Sequence, residues 1–314
     1  MASVRVVRPG LLSTIQDTGR WGYQAYGVSV SGPMDPRAHR LGNLLVGNPP
    51  DAATLEITMV GPELVFDEDR TIAVCGADFV VTVGDHLASH AAPFRVPRGA
   101  HLRFGGRSRG TRAYLAVEGG FAVASVFGSR ATHLPSRMGG HGGRALIAGD
   151  VLPLGPSLGA SALPGRRASQ RVAPAIELPS GHARLRMVIA EQLDHFRRDA
   201  LDRLQSSRYT LRAESDRMGY RLEGPLIRTL ARGTMLSQPS PVGTVQVPQD
   251  GQPILLMADR QTTGGYPSLG TVITADLGLA GQLGPGDTVA FVPCSRQEAL
   301  AALIAQERAL MAVR

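Results

Sequence analysis

The sequence predicts a mainly β protein with two similar barrel-like domains and a few short helices. The first observation behind this expectation is the abundance of turn residues: 38 glycines and 22 prolines separate many short apolar runs, as in chains built from short strands. The second is length, because 314 residues allow about two domains with substantial cores. The third is a set of segments that recurs in the same order in both halves of the chain.

Strands are predicted where short apolar runs stand between turn residues. These runs are Val4–Val7, Glu63–Phe66, Thr71–Val74, Phe79–Val83, His101–Phe104, Ala113–Val117, Leu185–Ile189, Ile254–Met257, Thr271–Thr274 and Thr288–Val292. Three helices are predicted beside them. The first begins at Asp35, has Pro36 at its first helical position and runs towards Leu45. The second covers Glu191–Leu204, where apolar residues share one side. The third follows the capping box Ser295–Glu298.

Three pairs of similar segments support an internal duplication with an offset of roughly 190 residues. They are Arg20–Tyr23 with Arg217–Tyr220, Leu55–Phe66 with Val245–Leu256, and Val96–Phe104 with Leu283–Phe291. Residues 155–182 are rich in Gly, Pro, Ala and Ser without periodicity, which indicates a linker. We therefore predict an N-terminal β-barrel-like domain at residues 1–165 and a C-terminal β-barrel domain with a terminal helix at residues 166–314.

The chain contains no lysine, so all 33 of its Lys and Arg residues are arginine. This composition excludes a phosphate-binding loop of the Gly-Lys-Ser/Thr type, a Schiff base and a biotin attached covalently to this chain. The formal net charge of +7 is spread along the sequence rather than gathered into a basic strip. We therefore expect no nucleic-acid binding, whereas an acidic partner or an anionic substrate suits the charge.

Nothing in the sequence predicts membrane association. No apolar run approaches the roughly 18 residues needed to span a bilayer, and the N-terminus has no signal-peptide core, so a cytoplasmic location is expected. Cys75 and Cys294 lie far apart without metal-ligand spacing. We expect both to be small buried hydrophobic residues.

Four polar stretches lie among glycines and turns, where binding residues are common. They are Gln16–Tyr23, Ser31–Asp35, Ser136–Arg144 and Asp259–Pro267. In the first, Asp17 and Arg20 can belong to a site or form a structural pair that fixes a loop. In the second, Asp35 is explained by a helix N-cap, although a helix start also offers N–H groups to an anion.

The third stretch places four glycines between Arg137 and Arg144. Glycine lets the backbone approach a ligand closely, but a flexible surface loop explains the composition equally well. His141 can titrate near neutral pH. No second histidine or cysteine lies at metal-ligand spacing from it, so no metal site is predicted.

The fourth stretch follows an apolar strand and delivers Asp259, Arg260, Gln261 and Thr262 into a Gly-Gly turn that ends at Tyr266. Arg260 can polarise a carbonyl or bind a carboxylate with both nitrogens. Asp259 can act as a base or orient the arginine. Residue types alone leave open whether this stretch is a site or a hydrogen-bonded turn.

The chain resembles the biotin-dependent carboxyltransferase-like family, whose members include allophanate hydrolase subunit 2, KipA and the C subunit of 5-oxoprolinase. The resemblance covers nearly the whole chain in order. Its segments are Gly10–Tyr23, Val30–Pro36, Asn43–Asn48, Leu55–Ile57, Cys75–Asp78, Gly128–Arg130, Ser215–Gly224, Val247–Pro253, Asp259–Pro267 and Gly281–Asp287.

The resemblance implies cyclophilin-like β-barrels and a hetero-oligomer with two further 5-oxoprolinase subunits, a smaller, related B subunit (KipI-like) and an A subunit. Such a complex opens the lactam of 5-oxo-L-proline to L-glutamate and uses ATP at the level of the complex. The implied catalytic residues are Asp17, Asp259, Arg260 and Tyr266. The implied substrate-binding residues are Arg20, Arg137, Arg217, Gln261 and Thr262.

Two other functions stay open within the resemblance. Relatives fused into urea carboxylase pass a carboxyl group to urea from biotin that another domain carries. KipA-like members are regulatory binding modules that antagonise an inhibitor of a sporulation kinase. Two positions depart from the family: Ser268 stands where a basic residue is usual, and Gln238 stands where glutamate is common. These two departures bear on which amide or lactam is the substrate.

Overall fold

The structure is a computed structural model that describes residues 2–157, 177–191, 193–230 and 236–313. The chain divides into two compact units. The first comprises Met1–Arg20, Ser31–Leu178 and Arg308–Arg314, and the second comprises Trp21–Val30 and Pro179–Glu307. The predicted domain boundary between residues 165 and 166, and most of the predicted linker, lie outside the described residues.

The described part of the chain is mainly β, as predicted. The strands are β1 (Ser3–Arg8), β2 (Leu12–Gln16), β3 (Thr54–Thr58), β4 (Glu63–Phe66), β5 (Arg70–Gly76), β6 (Phe79–Val83), β7 (His86–Leu87), β8 (Pro93–Val96), β9 (His101–Arg107), β10 (Arg112–Val117), β11 (Val151–Pro153), β12 (His182–Ile189), β13 (Tyr209–Leu211), β14 (Gly219–Glu223), β15 (Gln238–Pro239), β16 (Thr244–Gln246), β17 (Ile254–Leu256), β18 (Thr263–Gly264), β19 (Ser268–Val272) and β20 (Thr288–Pro293). The helices are α1 (Pro36–Leu45), α2 (Ala200–Ser206), α3 (Thr274–Gly281) and α4 (Arg296–Met311), with a turn of 3-10 helix at Gln24–Tyr26.

The first unit contains two sheets that share one core. One sheet has the order β11-β1-β4-β9-β6-β7 and the other has the order β2-β3-β10-β5-β8. Along β1, Val4 and Val6 are buried while Arg5 is exposed, because successive side chains of a strand point to opposite faces. The buried valines join a hydrophobic core with Ile57 and Leu115 of the other sheet. The N-terminal domain predicted to be β-barrel-like is therefore built from two sheets that share one core.

Helix α1 covers the other face of the second sheet. Its N-cap is Asp35, whose carboxylate accepts hydrogen bonds from the backbone N–H groups of Arg37 and Ala38, so the predicted helix start is confirmed. Leu41 of the helix packs with Cys75 in a second hydrophobic cluster. Burial raises the pKa of the Cys75 thiol, as expected for a buried cysteine, whereas Cys294 is partly exposed.

His39 is a buried titratable group on α1. Its Nδ1 lies 2.8 Å from the Oγ1 of Thr54. Burial lowers the pKa of His39 to about 4, although the charges of Asp17 and Glu56 oppose the shift. The folded unit therefore holds a neutral imidazole at a pH where the same group in the unfolded chain takes up a proton.

This difference predicts acid sensitivity between pH 6.5 and 4. The unfolded chain protonates His39 below about pH 6.5 and the folded chain only near pH 4, so stability that is complete above 6.5 falls as the pH drops through this window. From pH 7.5 to pH 5 we expect His39 to account for a loss of about 2 kcal/mol in the free energy of unfolding. Urea titrations of wild type and His39→Gln at both pH values measure it. An exposed control, His182→Gln, should keep the wild-type loss; an equal loss in His39→Gln would contradict the assignment.

The second unit is built around a closed barrel of seven strands. Their order is β12-β19-β16-β17-β14-β13-β20, and the ring closes where β12 and β20 pair in parallel. Along β12, Leu185 and Met187 are buried inside while Arg184 and Arg186 are exposed. Arg186 donates to Asp276 of α3 with two nitrogens, at 3.0 Å and 2.6 Å, which ties that helix to the barrel wall.

Gly270 of β19 is required by close packing within this wall. A Cβ at this position would stand 2.4 Å from the carbonyl oxygen of Val188 and 2.5 Å from the Cε of Met187. We therefore expect Gly270→Ala to lower the free energy of unfolding by about 1–3 kcal/mol, as overpacked cores do. Gly106→Ala is the matched control, since nothing lies within 4 Å of its added Cβ. Thermal and urea unfolding of both variants test this; equal stability of the two would show that the barrel yields at Gly270.

Three local expectations were wrong. The predicted helix Glu191–Leu204 begins only at Ala200, because Phe196 instead bridges to Thr229. The run Thr271–Thr274 is not one strand, because β19 ends at Val272 and α3 begins at Thr274. Helix α3 was missed because its apolar residues alternate with small or polar ones, a period of two that is typical of strands.

No helix in the described ranges is both long and apolar enough to cross a bilayer. The recurring segments take different partners in the two units. Strands β3 and β4 belong to separate sheets, whereas β16 and β17 pair with each other. The internal duplication therefore stays a prediction.

Candidate functional site

The segment Asp259–Pro267 follows β17 and is fixed at its start by a buried ion pair. Asp259 accepts two hydrogen bonds from Arg217, at 2.9 Å from Nε and 3.0 Å from Nη2. The two side chains are 1% and 5% exposed. The backbone N–H of Asp259 also donates to the carbonyl of Arg217 at 2.8 Å. Two residues that the sequence singled out separately are thus brought together.

The pair defines what Asp259 does. Both of its oxygens face the Arg217 guanidinium, in the two-point geometry that suits an arginine and a carboxylate. The carboxylate therefore orients an arginine, one of the two roles open to it from the sequence, and that arginine is Arg217 rather than its neighbour Arg260. Strands β14 and β17 pair through Gly219 and Leu256. The ion pair therefore joins the residues just before β14 to the residues just after β17.

Arg260 fastens the next turn. Its Nε donates to the carbonyl of Ser240 at 2.8 Å, and its own carbonyl accepts from the Oγ of Ser29 at 3.0 Å. Burial lowers the pKa of Arg260, while the charge of Asp259 partly opposes the shift. The backbone carbonyl of Thr262 accepts from the N–H of Ser240 at 3.0 Å. Arg260 and Thr262 therefore connect this loop to Ser240 through hydrogen bonds.

Gln261 and Tyr266 of the same segment line a cleft of about 370 Å³ in the second unit. The cleft is partly open, and its lining mixes polar with apolar side chains. The hydrogen-bonding side chains that line it include Arg212, Arg221, Gln246, Gln252, Gln261 and Tyr266.

The register of the barrel explains why two of these side chains, Arg221 and Gln246, lie on the same face of the barrel wall. Arg221 of β14 pairs with Ile254 of β17, and Ile254 also pairs with Gln246 of β16. Side chains directly opposite one another share a face, so Arg221, Ile254 and Gln246 form a row across the barrel wall. Tyr220, the neighbour of Arg221, points to the other face and is buried. The cleft therefore lies on the outside of the barrel.

The charged residues that line the cleft are two arginines and two aspartates, namely Arg212, Arg221, Asp216 and Asp250. Arg212 forms an ion pair of 3.4 Å with Glu214. Asp216 caps the turn before β14 by accepting from the N–H groups of Met218 and Gly219. Arg221 is exposed, and its guanidinium has no ion-pair or hydrogen-bond partner in the described part of the chain. The Arg221 guanidinium is therefore the cation of the cleft that is open to a carboxylate, although Asp216 and Asp250 line the same cleft.

Gln246 is the buried end of the cleft. Its Nε2 lies 3.4 Å from the Oγ of Ser240. A Cβ at Gly264 would stand 2.6 Å from the same Nε2 and 2.9 Å from the same Oγ, so a larger residue there would displace one of these two side chains. The Gln246 carboxamide lines the cleft, where it can form hydrogen bonds with an amide group of a ligand.

Asp17 and Arg20 lie in the first unit and hold one loop there. Asp17 accepts from the Oγ of Ser129 at 2.6 Å, from the N–H of Gly19 at 2.9 Å and from the N–H of Arg130. The Arg20 guanidinium is buried and donates to the carbonyl of Ala131. Both side chains bind the segment 129–131, which agrees with the loop-fixing role left open by the sequence.

The glycine-rich stretch Ser136–Arg144 also lies in the first unit. At Gly143 there is no room for a side chain, because a Cβ would stand 1.9 Å from the carbonyl oxygen of Arg137. Arg137 itself has a positive φ of 52° and is exposed.

His141, in the same stretch, points towards Asp150, with its Nε2 at 3.4 Å from Oδ1. Arg144 is the main cause that lowers the pKa of Asp150 to about 2. No group of three His, Cys, Asp or Glu side chains able to hold a metal occurs in the ranges that the structure covers.

Comparison with known proteins places the chain in a family. A model described as "Carboxyltransferase domain, subdomain A and B" matches residues 26–293. The chain belongs to this family. Two relatives match this carboxyltransferase-domain chain along almost their whole length. The C subunit of the Escherichia coli 5-oxoprolinase is 37% identical over 305 residues, which are 97% of this chain and 96% of that protein. Its namesake from Haemophilus influenzae is 36% identical over 293 residues.

Other carboxyltransferase-domain relatives are much longer. The urea amidolyase of Lachancea kluyveri is 35% identical over 94% of this chain but over only 17% of its own length. The crystal structure of the Kluyveromyces lactis urea carboxylase is 32% identical, with a TM-score of 0.91. It covers 99% of this chain and 29% of its own. The family expected from the sequence motifs is therefore confirmed, and so is the mainly β fold.

Among the charged and amide residues that line the cleft, sequence reasoning missed six, namely Arg212, Asp216, Arg221, Gln246, Asp250 and Gln252. For two of them a signal was present. Gln246 interrupts an apolar strand between Val245 and Val247, and Arg221 alternates with buried neighbours along β14. Neither pattern shows that both residues lie opposite Ile254, because the register between strands cannot be read from either segment alone.

Proposed function

We propose that this carboxyltransferase-domain chain is the C subunit of an ATP-dependent 5-oxoprolinase, which opens 5-oxo-L-proline to L-glutamate together with the A and B subunits of that enzyme. The observation that carries the proposal is the match to two proteins named as this subunit, which for the Escherichia coli relative spans 96% of that protein. The name of the Escherichia coli relative therefore applies to a protein that matches this chain from end to end, apart from a few residues. The urea amidolyase names describe proteins of which this chain matches about a sixth.

The cleft supports the substrate class. 5-Oxo-L-proline carries one carboxylate and one lactam group, and it is small enough for a cleft of about 370 Å³. The Arg221 guanidinium is suited to the carboxylate, since arginine binds carboxylates with two parallel hydrogen bonds. The carboxamides of Gln246 and Gln261 each offer a donor and an acceptor, which match the N–H and the carbonyl of a lactam.

Opening the ring requires water at the lactam carbonyl carbon. The C–N bond breaks, and the nitrogen takes up a proton to become the amino group of glutamate. In this proposal the Tyr266 hydroxyl donates a hydrogen bond to the carbonyl oxygen, where negative charge develops. The ion pair between Arg217 and Asp259 keeps the loop that carries Gln261 and Tyr266 in place.

ATP enters at the level of the complex. Because the chain has no lysine, it lacks the Gly-Lys-Ser/Thr loop that binds nucleotide phosphates in many proteins. We therefore assign ATP binding to the partner subunits, where ATP hydrolysis to ADP and phosphate drives the lactam opening. The proposal includes a cytoplasmic location, where ATP is available, and an isolated chain without turnover.

The test is reconstitution. The chain is coexpressed with the A and B subunits, and glutamate release from 5-oxo-L-proline is measured with and without ATP. We expect release only from the three-component complex and only with ATP. A complex that assembles from all three proteins but releases no glutamate would overturn the proposal.

A second candidate is the carboxyltransferase component of a urea carboxylase. It is favoured by the TM-score of 0.91 to the Kluyveromyces lactis enzyme. In that case biotin is carried by another protein, since this chain has no lysine for its attachment. Consumption of urea that depends on a biotin carboxylase, a biotin carrier and bicarbonate would favour this candidate over the first.

A further inference from the structure

Two carboxylates in the candidate cleft are not used by the proposed function. Asp216 and Asp250 line the cleft together with Arg221, and all three residues are exposed. Within the described ranges, the Arg221 guanidinium forms no ion pair with these aspartates or with any other carboxylate. Charges of both signs therefore line one cleft of about 370 Å³ without neutralising each other.

Each of the two aspartates uses one oxygen to hold a turn. Oδ1 of Asp216 accepts from the N–H groups of Met218 at 2.8 Å and Gly219 at 3.1 Å. Oδ1 of Asp250 accepts from the N–H of Gln252 at 3.0 Å. In the part of the chain that the structure describes, Oδ2 of both side chains has no hydrogen-bond partner. The turns therefore fix the two carboxylates, and their second oxygens are available to a ligand.

A further acceptor in the cleft belongs to Gln246, which is 4% exposed. Its Nε2 donates to the Oγ of Ser240 at 3.4 Å, while its Oε1 has no hydrogen-bond partner among the described residues. A buried polar group without a partner is destabilising, so Oε1 is suited to an N–H donor that a ligand supplies. This oxygen and the two aspartates thus line the cleft beside the Arg221 guanidinium.

This set of groups is complementary to a zwitterion. A guanidinium binds a carboxylate through two parallel N–H groups. An ammonium group has three N–H donors and no acceptor, so it pairs with carboxylate and carboxamide oxygens. A ligand that carries only negative charge would meet Arg221 but would be repelled by the two aspartates. An α-amino acid carries both charges on one carbon atom and satisfies both kinds of group.

We propose that the cleft binds a zwitterionic α-amino acid, with its carboxylate on Arg221 and its ammonium group on the carboxylates of Asp216 and Asp250. The identity of this amino acid rests on the proposed function, in which it is the product L-glutamate. In ring opening the water oxygen bonds to the carbonyl carbon and the C–N bond breaks. Both protons of the water pass to the nitrogen, which becomes a positively charged ammonium group. The two aspartates stabilise this new charge, and Oε1 of Gln246 accepts one of its hydrogen bonds.

Ligand binding to the full chain tests the inference directly. Isothermal titration calorimetry compares L-glutamate with glutarate, which has the same carbon chain and both carboxylates but no ammonium group. We expect the Kd for glutarate to exceed that for L-glutamate by about 10-fold, the effect of losing one charged hydrogen bond. Equal Kd values for the two ligands, or no binding of L-glutamate, would overturn the inference.

The double variant Asp216→Asn/Asp250→Asn isolates the role of the two charges. Asparagine keeps a side-chain oxygen that can hold each turn, so the fold is retained while the charges are removed. The double variant should bind L-glutamate about 10-fold more weakly than wild type and lose most of its preference over glutarate. Asp199→Asn/Asp202→Asn removes two exposed carboxylates of the same unit that do not line the cleft, and this control should keep the wild-type preference. A full preference for L-glutamate in the first double variant would contradict the assignment.

The outcomes separate this inference from the proposed function. If the reconstituted complex releases glutamate but the chain binds L-glutamate and glutarate equally, only this inference is overturned. If the assembled complex releases no glutamate but the chain prefers L-glutamate through Asp216 and Asp250, the proposed function is overturned and the cleft remains a site for an amino acid. In an active complex L-glutamate should inhibit in competition with 5-oxo-L-proline, because both occupy the same cleft. Purely non-competitive inhibition would place L-glutamate elsewhere and overturn the inference.

Discussion

Asp259→Ala is expected to lower the free energy of unfolding by about 3–5 kcal/mol, because it leaves the Arg217 guanidinium buried without its counter-charge. The two side chains are 1% and 5% exposed and share two hydrogen bonds. Urea unfolding followed by circular dichroism measures the change. We expect the double variant Arg217→Met/Asp259→Leu to recover most of the loss, since apolar residues of similar volume often replace a buried ion pair at little cost.

The ion pair between Glu191 and Arg296 is the matched control. It joins an arginine and a carboxylate in the same unit, but its side chains are 80% and 78% exposed. Exposed pairs contribute about 0–1 kcal/mol, so Arg296→Met should change stability by no more than this. If Asp259→Ala costs no more than Arg296→Met, the buried pair does not stabilise the loop as we describe.

Arg221→Met is expected to reduce kcat/KM for 5-oxo-L-proline by about 10- to 100-fold in the reconstituted complex, mainly through KM. The reason is the loss of a charged hydrogen bond to the substrate carboxylate, which contributes about 1.5–3 kcal/mol. Methionine keeps much of the length of the side chain and removes its charge. Steady-state kinetics across a range of substrate concentrations separates the effect on KM from that on kcat.

Arg184→Met controls for the loss of one positive charge from the barrel. Arg184 is exposed on β12 of the same unit and does not line the cleft. Its kinetics should match wild type within about twofold, in line with the small effects of exposed charges. Equal kinetic losses in both variants would show that net charge, rather than a contact with substrate, is responsible.

Much of the fold follows from local sequence patterns. Alternation along β1 and β12 identifies strands, and the capping box at Ser295 marks the start of α4. There the Oγ of Ser295 accepts from the N–H of Glu298 while the Glu298 carboxylate accepts from Ser295. Local patterns fail where tertiary contacts decide: Phe196 pairs with Thr229 instead of entering a helix. They also cannot assign Trp21–Val30 to the second unit.

The sequence identified the segment Asp259–Pro267 of the candidate site, but it did not show which other residues lie beside that segment. Asp259 and Arg217 were both identified, yet they lie 42 positions apart, and only the pairing of β14 with β17 brings them together. Arg221 and Gln246 were not identified as site residues. Arg221 looks like an ordinary exposed residue of a strand, and Gln246 looks like a single polar residue within an apolar strand. Arg221 and Gln246 line the same cleft because of how β14, β16 and β17 are paired. This pairing cannot be read from any one of the three segments.

The parallel pairing of β12 with β20 has a consequence for synthesis of the protein. It joins His182 to Thr288 and Met187 to Pro293, so the ring stays open until the last strand of the unit has left the ribosome. Until then β12 and β13 each present an unpaired edge, the feature through which strands of different chains associate. Contacts this distant along the chain also form slowly. Nascent chains of this unit are therefore expected to depend on chaperones more than those of the sheet sandwich that precedes it.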